Sequence, residues 1–193
     1  MNKNDLPRLY EKATEEADKF IQNVKEVDLE KQSVDRDWTV RELINHIAYE
    51  QLWLPELLEG KTIKEVGDKY EGDLLGDDFK KVWKEAKDRV NEAVKKEGAL
   101  TGIAHLSFGD VPSAQYVGDM LFDLTVHAWD VAFSTGQEDE LDSELLDIAF
   151  DHASQHAEGW RKVGALGEEI KVSEDTSKLT KMLALTGRKR ESS

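Results

Sequence analysis

The most informative segment of the chain is SAQYVGDMLFDLTVHAWDVAFS, residues 113–134. Its pattern predicts an α-helix that Ser113 caps and that ends before Gly136. Nearly every direction of the helical wheel is apolar or small, which is typical of a helix buried on most sides. The remaining arc is about 80° wide when each residue turns about 100°. It carries three carboxylates and one imidazole, those of Asp119, Asp123, Asp130 and His127.

This acidic arc has no basic neighbours in the sequence, since no Lys or Arg occurs between Thr101 and Gly136. A partly buried group of carboxylates repels itself or binds protons unless a cation neutralises it. Asp123 and His127 lie one helical turn apart, so both side chains can reach one metal ion, and Asp130 can orient the imidazole. The competing interpretation is a solvent-exposed charged face, which is the usual reason for a charged stripe on a helix.

A second helix offers a further ligand. Thr39 and Glu42 have the spacing of a capping box, which predicts a helix over residues 40–58. His46 lies at the border of its apolar stripe, and Glu50 follows one turn later. A lone histidine in such a place is more often a hydrogen-bonded core residue than a ligand. Two histidines and a carboxylate drawn from facing helices, however, are a recurrent metal site in helical bundles.

These residues form one hypothesis for the site. His46, Asp123 and His127 would bind a divalent metal. Glu50 or Asp130 would support the ligands or accept a proton in a catalytic role.

A rival group lies on a predicted helix nearer the C-terminus. His152 and His156 are also four residues apart, on its apolar face, and they could join His46 in a three-histidine site. Packing with a hydrogen bond to a neighbour is the competing explanation, because the nearby carboxylates point elsewhere on the helix. His105 would either line a pocket or end a strand.

Composition excludes several classes of function. The 193 residues include 26 basic and 41 acidic side chains, for a net charge of −15, which argues against nucleic acid and anionic membranes as partners. No cysteine is present, so disulfides, Cys-ligated zinc, iron–sulfur clusters and a thiol nucleophile are excluded. No apolar run approaches the roughly 18 residues of a membrane span, and the first residues lack a signal-peptide pattern. We therefore expect a cytoplasmic protein.

The rest of the chain is also mostly helical by its pattern. Apolar periodicity predicts three further helices, over residues 5–27, 78–97 and 142–161, and a short separate segment covers residues 179–185. Residues 60–77 are predicted as a loop, and residues 99–112 as irregular or extended chain. Without an internal repeat or a long linker, we expect one all-α domain over residues 1–193, with a flexible tail over 187–193.

Five stretches carry a family resemblance: WTVRELINH (38–46), WLPELLEG (53–60), EGDLLGD (71–77), DLTVHAWD (123–130) and LALTGR (183–188). Together they resemble the DinB-like superfamily. More closely, they resemble its branch related to the N-terminal domain of mycothiol-dependent maleylpyruvate isomerase. The resemblance covers nearly the whole chain.

The resemblance implies a DinB-like four-helix bundle with one long crossover and additional C-terminal helices. It also implies a divalent metal, zinc or nickel, held by a histidine of the second helix and a carboxylate-x-x-x-His pair, here His46, Asp123 and His127. Enzymes of this family bring a low-molecular-weight thiol to the metal, which lowers its pKa so that it attacks an electrophile. Mycothiol and bacillithiol are the expected thiols. We expect no second domain like that of the isomerase, so its substrate is not carried over.

Three functional hypotheses follow. The first is a metal-dependent enzyme, a thiol-dependent transferase or isomerase that acts on a small-molecule electrophile. The second is a non-catalytic, metal-stabilised helical protein with a stress-response or interaction role, in which Glu50 closes the metal site as a fourth ligand. The third is a dimerising interaction module, and a homodimer is a further expectation.

Overall fold

The computed structural model describes residues 2–35 and 38–190, which form seven α-helices and one β-hairpin. The first four helices are α1 (Leu6–Asn23), α2 (Val40–Leu58), α3 (Ile63–Val66) and α4 (Phe79–Lys95). An antiparallel hairpin of β1 (Ile103–Leu106) and β2 (Gly109–Pro112) follows. The last three helices are α5 (Ser113–Ser134), α6 (Ser143–Lys162) and α7 (Lys178–Leu185).

Helices α1, α2, α4 and α5 form a four-helix bundle. Both α1 and α2 pack against α4 and α5, so α1 and α2 are diagonally opposite in the bundle. The chain therefore crosses the end of the bundle between α1 and α2, and again between α4 and α5. The predicted all-α, DinB-like bundle with a crossover is confirmed.

Helix α5 is enclosed by its neighbours, as its apolar sequence predicts. It packs against α1 and α2 inside the bundle and against α6 on the outside, and α7 packs on α6. Gly118 permits the close approach of α6, because an added Cβ there would lie 3.0 Å from the ring of His152. The burial of α5 on three sides leaves only a narrow arc for its polar residues.

The prediction for α2 is confirmed in detail. The helix covers the predicted residues 40–58, and its capping box is formed. The Thr39 hydroxyl accepts from the Glu42 amide, and the Glu42 carboxylate accepts from the Thr39 amide. Pro55 lies inside the helix without ending it. This well-defined start fixes the register in which His46 faces α5.

Other boundaries differ from the predictions. Helix α1 ends at Asn23 rather than at the predicted residue 27, because Val24 turns to an extended backbone conformation, and Val27 is 77% exposed. Ser113 does not cap α5. Pro112 occupies the N-cap position, and Ser113 is buried as the first helical residue.

The two segments predicted without helix contain regular structure. The loop over 60–77 includes α3, which begins with a second capping box between Thr62 and Glu65. Residues 99–112 contain the hairpin, in agreement with the prediction of extended chain. Within the described residues, no helix combines the length and the apolar character needed to cross a bilayer.

The predicted flexible tail over 187–193 is wrong for its first residues. The Arg188 side chain is only 10% exposed, and Arg190 forms an ion pair with Asp139. Residues 191–193 lie outside the described part of the chain.

Candidate metal centre

The site lies between α2 and α5, at one layer of the bundle. Helix α2 presents His46, whose ring centre is 5.0 Å from that of His127 on α5, at an interplanar angle of 80°. The ring of Trp38, just before α2, lies 4.9 Å from His46 on another side. The two helices thus bring two imidazoles from distant parts of the sequence into contact.

Three potential ligands converge there. One ligand atom from each of His46, Asp123 and His127 lies within 4.8 Å of the other two. Within this group, His127 Nε2 lies 3.4 Å from Asp123 Oδ1. Two imidazoles and a carboxylate form a donor set that suits zinc and other divalent transition metals. The three residues predicted from the sequence are therefore the ones that the fold brings together.

The two nitrogens of His127 have separate partners. Nδ1 is hydrogen-bonded to Asp130 Oδ2 at 2.9 Å, so Nε2 is the nitrogen that faces Asp123. A histidine that ligates a metal usually donates its other N–H to a carboxylate, which fixes the tautomer and the ring orientation. Asp130 is fully buried and has this position. The arrangement fits a metal on Nε2.

Arg188 supplies a positive charge that the sequence around α5 lacks. Its Nε and Nη2 donate to the two oxygens of Asp130, both at 2.7 Å, and Nη2 lies 2.9 Å from Asp35 Oδ2. One ligand atom from each of Asp35, His127 and Asp130 also lies within 4.8 Å of the other two, but the guanidinium already pairs with both carboxylates. The inference that only a bound cation could balance the acidic arc is therefore wrong for Asp130.

Burial and charge shift the pKa values of the site strongly. Burial alone would lower the pKa of His127, but the adjacent Asp123 and Asp130 raise it to about 10. Burial would raise the pKa of Asp123, but the charge of His127 lowers it to about 2. Burial and the charge of Asp123 raise the pKa of Glu50 to about 8. In the absence of a metal, His127 is therefore an imidazolium at neutral pH.

The hypothesis of a solvent-exposed charged face is wrong for most of the arc. Asp130 is fully buried and His127 is 5% exposed, whereas 37% of the Asp123 side chain is accessible. Asp119 lies apart from the three converging residues and is hydrogen-bonded to His152 Nε2 at 2.7 Å. The arc thus divides into two separate polar groups.

The rival three-histidine site is not formed. The ring centres of His152 and His156 are 4.5 Å apart, and both rings lie beside Trp160. Within residues 2–35 and 38–190, neither histidine belongs to a group of three that could hold a metal. His105 lies in β1, where its Nδ1 is 2.7 Å from Asp110 Oδ1 on the paired strand. Packing and local hydrogen bonds account for these three histidines.

Two openings flank the converging residues. On one side, a cavity of about 460 Å³ reaches Glu50 and Asp123, beneath α6 and the β-hairpin. On the other side, a more polar cleft of about 710 Å³ reaches His46, past Trp38 and Tyr49. Small molecules therefore have space on both sides of the three ligands.

The chain matches a known protein family. The family model of the mycothiol maleylpyruvate isomerase N-terminal domain matches residues 10–132. The chain belongs to this family. The range matched by the mycothiol maleylpyruvate isomerase N-terminal domain family includes α2 and α4, most of α1 and α5, and all three converging residues, but it excludes Arg188.

Solved structures and curated relatives are also similar to this chain. The crystal structure of the mycothiol-dependent maleylpyruvate isomerase superposes with a TM-score of 0.63 at 17% identity, over 88% of this chain and 75% of that chain. A histidine-to-alanine mutant of that isomerase gives the same TM-score at 16% identity, with the same coverage. Two uncharacterized Mycobacterium tuberculosis proteins, MT0763 and Rv0738, are 36% identical over 56 residues, which is 29% of this chain. The match covers 31% of the length of these relatives.

Sequence reasoning missed Arg188 and Asp35 as parts of the site. Arg188 belongs to the stretch LALTGR that contributed to the family resemblance, and this was the signal that could have found it. The position of Arg188 near the end of the sequence predicted a flexible tail instead. Nothing near it in sequence indicates a partner, because Asp130, with which it pairs, is 58 residues away.

Proposed function

We propose that this chain binds a divalent metal through His46, Asp123 and His127 and acts as a thiol-dependent transferase or isomerase. The observation that carries the proposal is the convergence of the three ligand atoms within 4.8 Å, with His127 already oriented by Asp130. Membership in a family named for a mycothiol-dependent isomerase supports the thiol. Zinc or nickel is the proposed metal, since both accept imidazole ligands. The proposed setting is cytoplasmic, and the proposed partner is a small molecule.

The proposed chemistry needs an open coordination position. Three protein ligands leave such a position for a thiol or water, and a bound divalent ion lowers the pKa of a coordinated thiol so that it reacts as a thiolate. Glu50 is the residue that would close the site, but its oxygens are not among the converging ligand atoms. This placement favours the catalytic hypothesis over a closed, structural metal site.

The side chains around the ligands have different proposed roles. Asp130 is a positioning residue, because His127 and Arg188 already occupy its oxygens and it has no access to substrate. The structure therefore favours supporting His127 over the alternative role of proton acceptor for Asp130. Glu50 lines the cavity and carries a proton near neutral pH, so its carboxyl group is the proposed proton donor and acceptor.

Metal analysis tests the proposal directly. Protein purified without chelator is expected to contain about one divalent ion per chain, or to acquire it on addition of zinc or nickel. Calorimetric titration of the metal-loaded protein with mycothiol, bacillithiol and glutathione is expected to show binding of at least one thiol. Absence of any stoichiometric ion would overturn the metal site. Metal binding that raises the melting temperature without any thiol affinity would instead support the non-catalytic hypothesis.

A further inference from the structure

The cavity beside Asp123 has a predominantly apolar wall. Met120 and Phe122 of α5 line it on one side, and Trp160 of α6 lines it on another. Phe108 and Val163 border it although they are 63% and 56% exposed, which is unusual for side chains of this kind. Exposed apolar side chains around a concavity are typical of a surface that a ligand covers. The volume of about 460 Å³ is in the range of small-molecule sites, which is roughly 300–1,000 Å³.

The ionisable groups along this cavity are mainly acidic. Asp119 and Asp123 line it together with the Glu50 carboxyl group and the His156 imidazole, and none of its described lining residues is a lysine or an arginine. A carboxylate placed against the apolar wall would lose its hydration without gaining a cationic partner. The net charge of −15 adds a long-range field that repels anions.

From this combination of shape and charge, we infer that the cavity binds small molecules with an apolar body that is uncharged or cationic. The cavity discriminates against ligands that carry a carboxylate on that body. The inference rests on the proposed function, because it treats the cavity as the place of the electrophile whose reacting end points toward Asp123. It separates this chain from a substrate such as maleylpyruvate, which carries carboxylates at both ends of its carbon chain.

Three naphthalene probes test the inference with one apolar body and three charges: 2-naphthylmethanol, 2-naphthylmethylamine and 2-naphthoate. Binding to the full chain is measured by calorimetry at about pH 8. The measurement is made with and without added zinc. We expect the alcohol and the amine to have dissociation constants at least about tenfold lower than that of the carboxylate, in the metal-free protein in particular.

A pair of matched variants locates the binding. Val163 borders the cavity, whereas Val172 is another exposed valine that does not line it. Val163→Lys is expected to strengthen naphthoate binding and weaken amine binding, each by about tenfold, because it adds a cation to the wall. Val172→Lys is expected to change neither. Both positions are exposed, so neither lysine has to be buried.

The outcomes separate this inference from the proposed function. If no divalent ion binds but the neutral and cationic probes still bind with the expected preference, the metal-dependent function fails and the cavity assignment holds. Failure of the alcohol and amine to bind, equal binding of all three probes, or equal effects of the two lysine variants would each overturn the cavity assignment, whatever the metal result.

Discussion

Helix α5 contributes carboxylates to two histidine–carboxylate pairs, and the surroundings of the two pairs differ. In the first, His127 contacts Asp123 and Asp130, and a second imidazole arrives from α2. In the second, Asp119 is hydrogen-bonded to His152 of α6, whose nearest imidazole, that of His156, is on the same helix. Both pairs combine the same residue types, but only the first gathers three potential ligands at one point.

The difference shows that spacing along one helix is not enough to define a metal site. The i, i+4 spacing places two side chains on one face, which holds for Asp123 and His127 on α5 and for His152 and His156 on α6. A further ligand must come from another element, and the imidazole needs a carboxylate beside it. For His127 these are His46 of α2 and Asp130, which Arg188 holds from the segment after α7. His152 has a carboxylate partner in Asp119, but within the described residues no further element brings a third ligand to it.

The sharpest test of this contrast is loss of one histidine from each pair. His127→Gln is expected to weaken zinc binding by about 1,000-fold or more, since it removes a ligand. That loss exceeds the roughly 10- to 100-fold effect of residues that only support a ligand. His152→Gln is expected to leave zinc affinity unchanged. Calorimetric titration of metal-free protein measures both, and circular dichroism checks that each variant is folded. Equal losses in the two variants would contradict the contrast.

Arg188 should account for a large part of the stability of the first group. Arg188→Met leaves the fully buried Asp130 without its bidentate partner, which is expected to cost about 3 kcal/mol of unfolding free energy. Arg190→Met is the matched control, because Arg190 pairs with Asp139 and Glu140 nearer the surface, and its loss is expected to cost under about 1 kcal/mol. Urea denaturation of the metal-free protein measures both values. A similar small cost for the two arginines would show that Arg188 is not needed to hold Asp130.

Arg188 also marks the limit of what the sequence predicts. The bundle, the start of α2 and the three converging residues follow from local patterns: helical periodicity, a capping box and the charged arc on α5. The partner of Asp130 does not, because a contact over 58 residues depends on how α6 and α7 fold back onto α5. The partner of Asp119 cannot be predicted from local patterns either. Asp119 lies on the same arc as Asp123 but is hydrogen-bonded to His152 of α6.

The protonation of His127 predicts a pH dependence for the first group. A metal on Nε2 must displace the proton that the raised pKa of about 10 keeps there. Zinc affinity is therefore expected to rise about tenfold per pH unit between about pH 7 and pH 9, with release of about one proton per ion. Calorimetry in buffers of different ionisation enthalpy counts the protons. Asp119→Asn, which alters only the second pair, should leave the slope unchanged, and a pH-independent affinity would exclude His127 as a protonated ligand.

The raised pKa of His127 also has a consequence for folding. The imidazolium stabilises the metal-free folded state fully below the unfolded pKa of about 6.5, and this contribution is lost as pH rises through about 10. The metal-free protein should therefore lose stability over that interval. Urea denaturation across the same pH range measures the loss.

The smallest expected effect concerns the packing that holds the second pair. Gly118→Ala adds a methyl group 3.0 Å from the His152 ring, which its hydrogen bond to Asp119 holds in place. Overpacking of up to about 3 kcal/mol is therefore expected to exceed the gain in helix propensity of about 1 kcal/mol. Gly159→Ala is the matched control in α6, where no atom lies within 4 Å of the added Cβ, so it should stabilise the protein by up to about 1 kcal/mol. Urea denaturation is expected to give opposite signs for the two variants, with zinc affinity unchanged in Gly118→Ala because His152 is not a ligand. A loss of zinc affinity in that variant would mean that the two pairs on α5 are coupled after all.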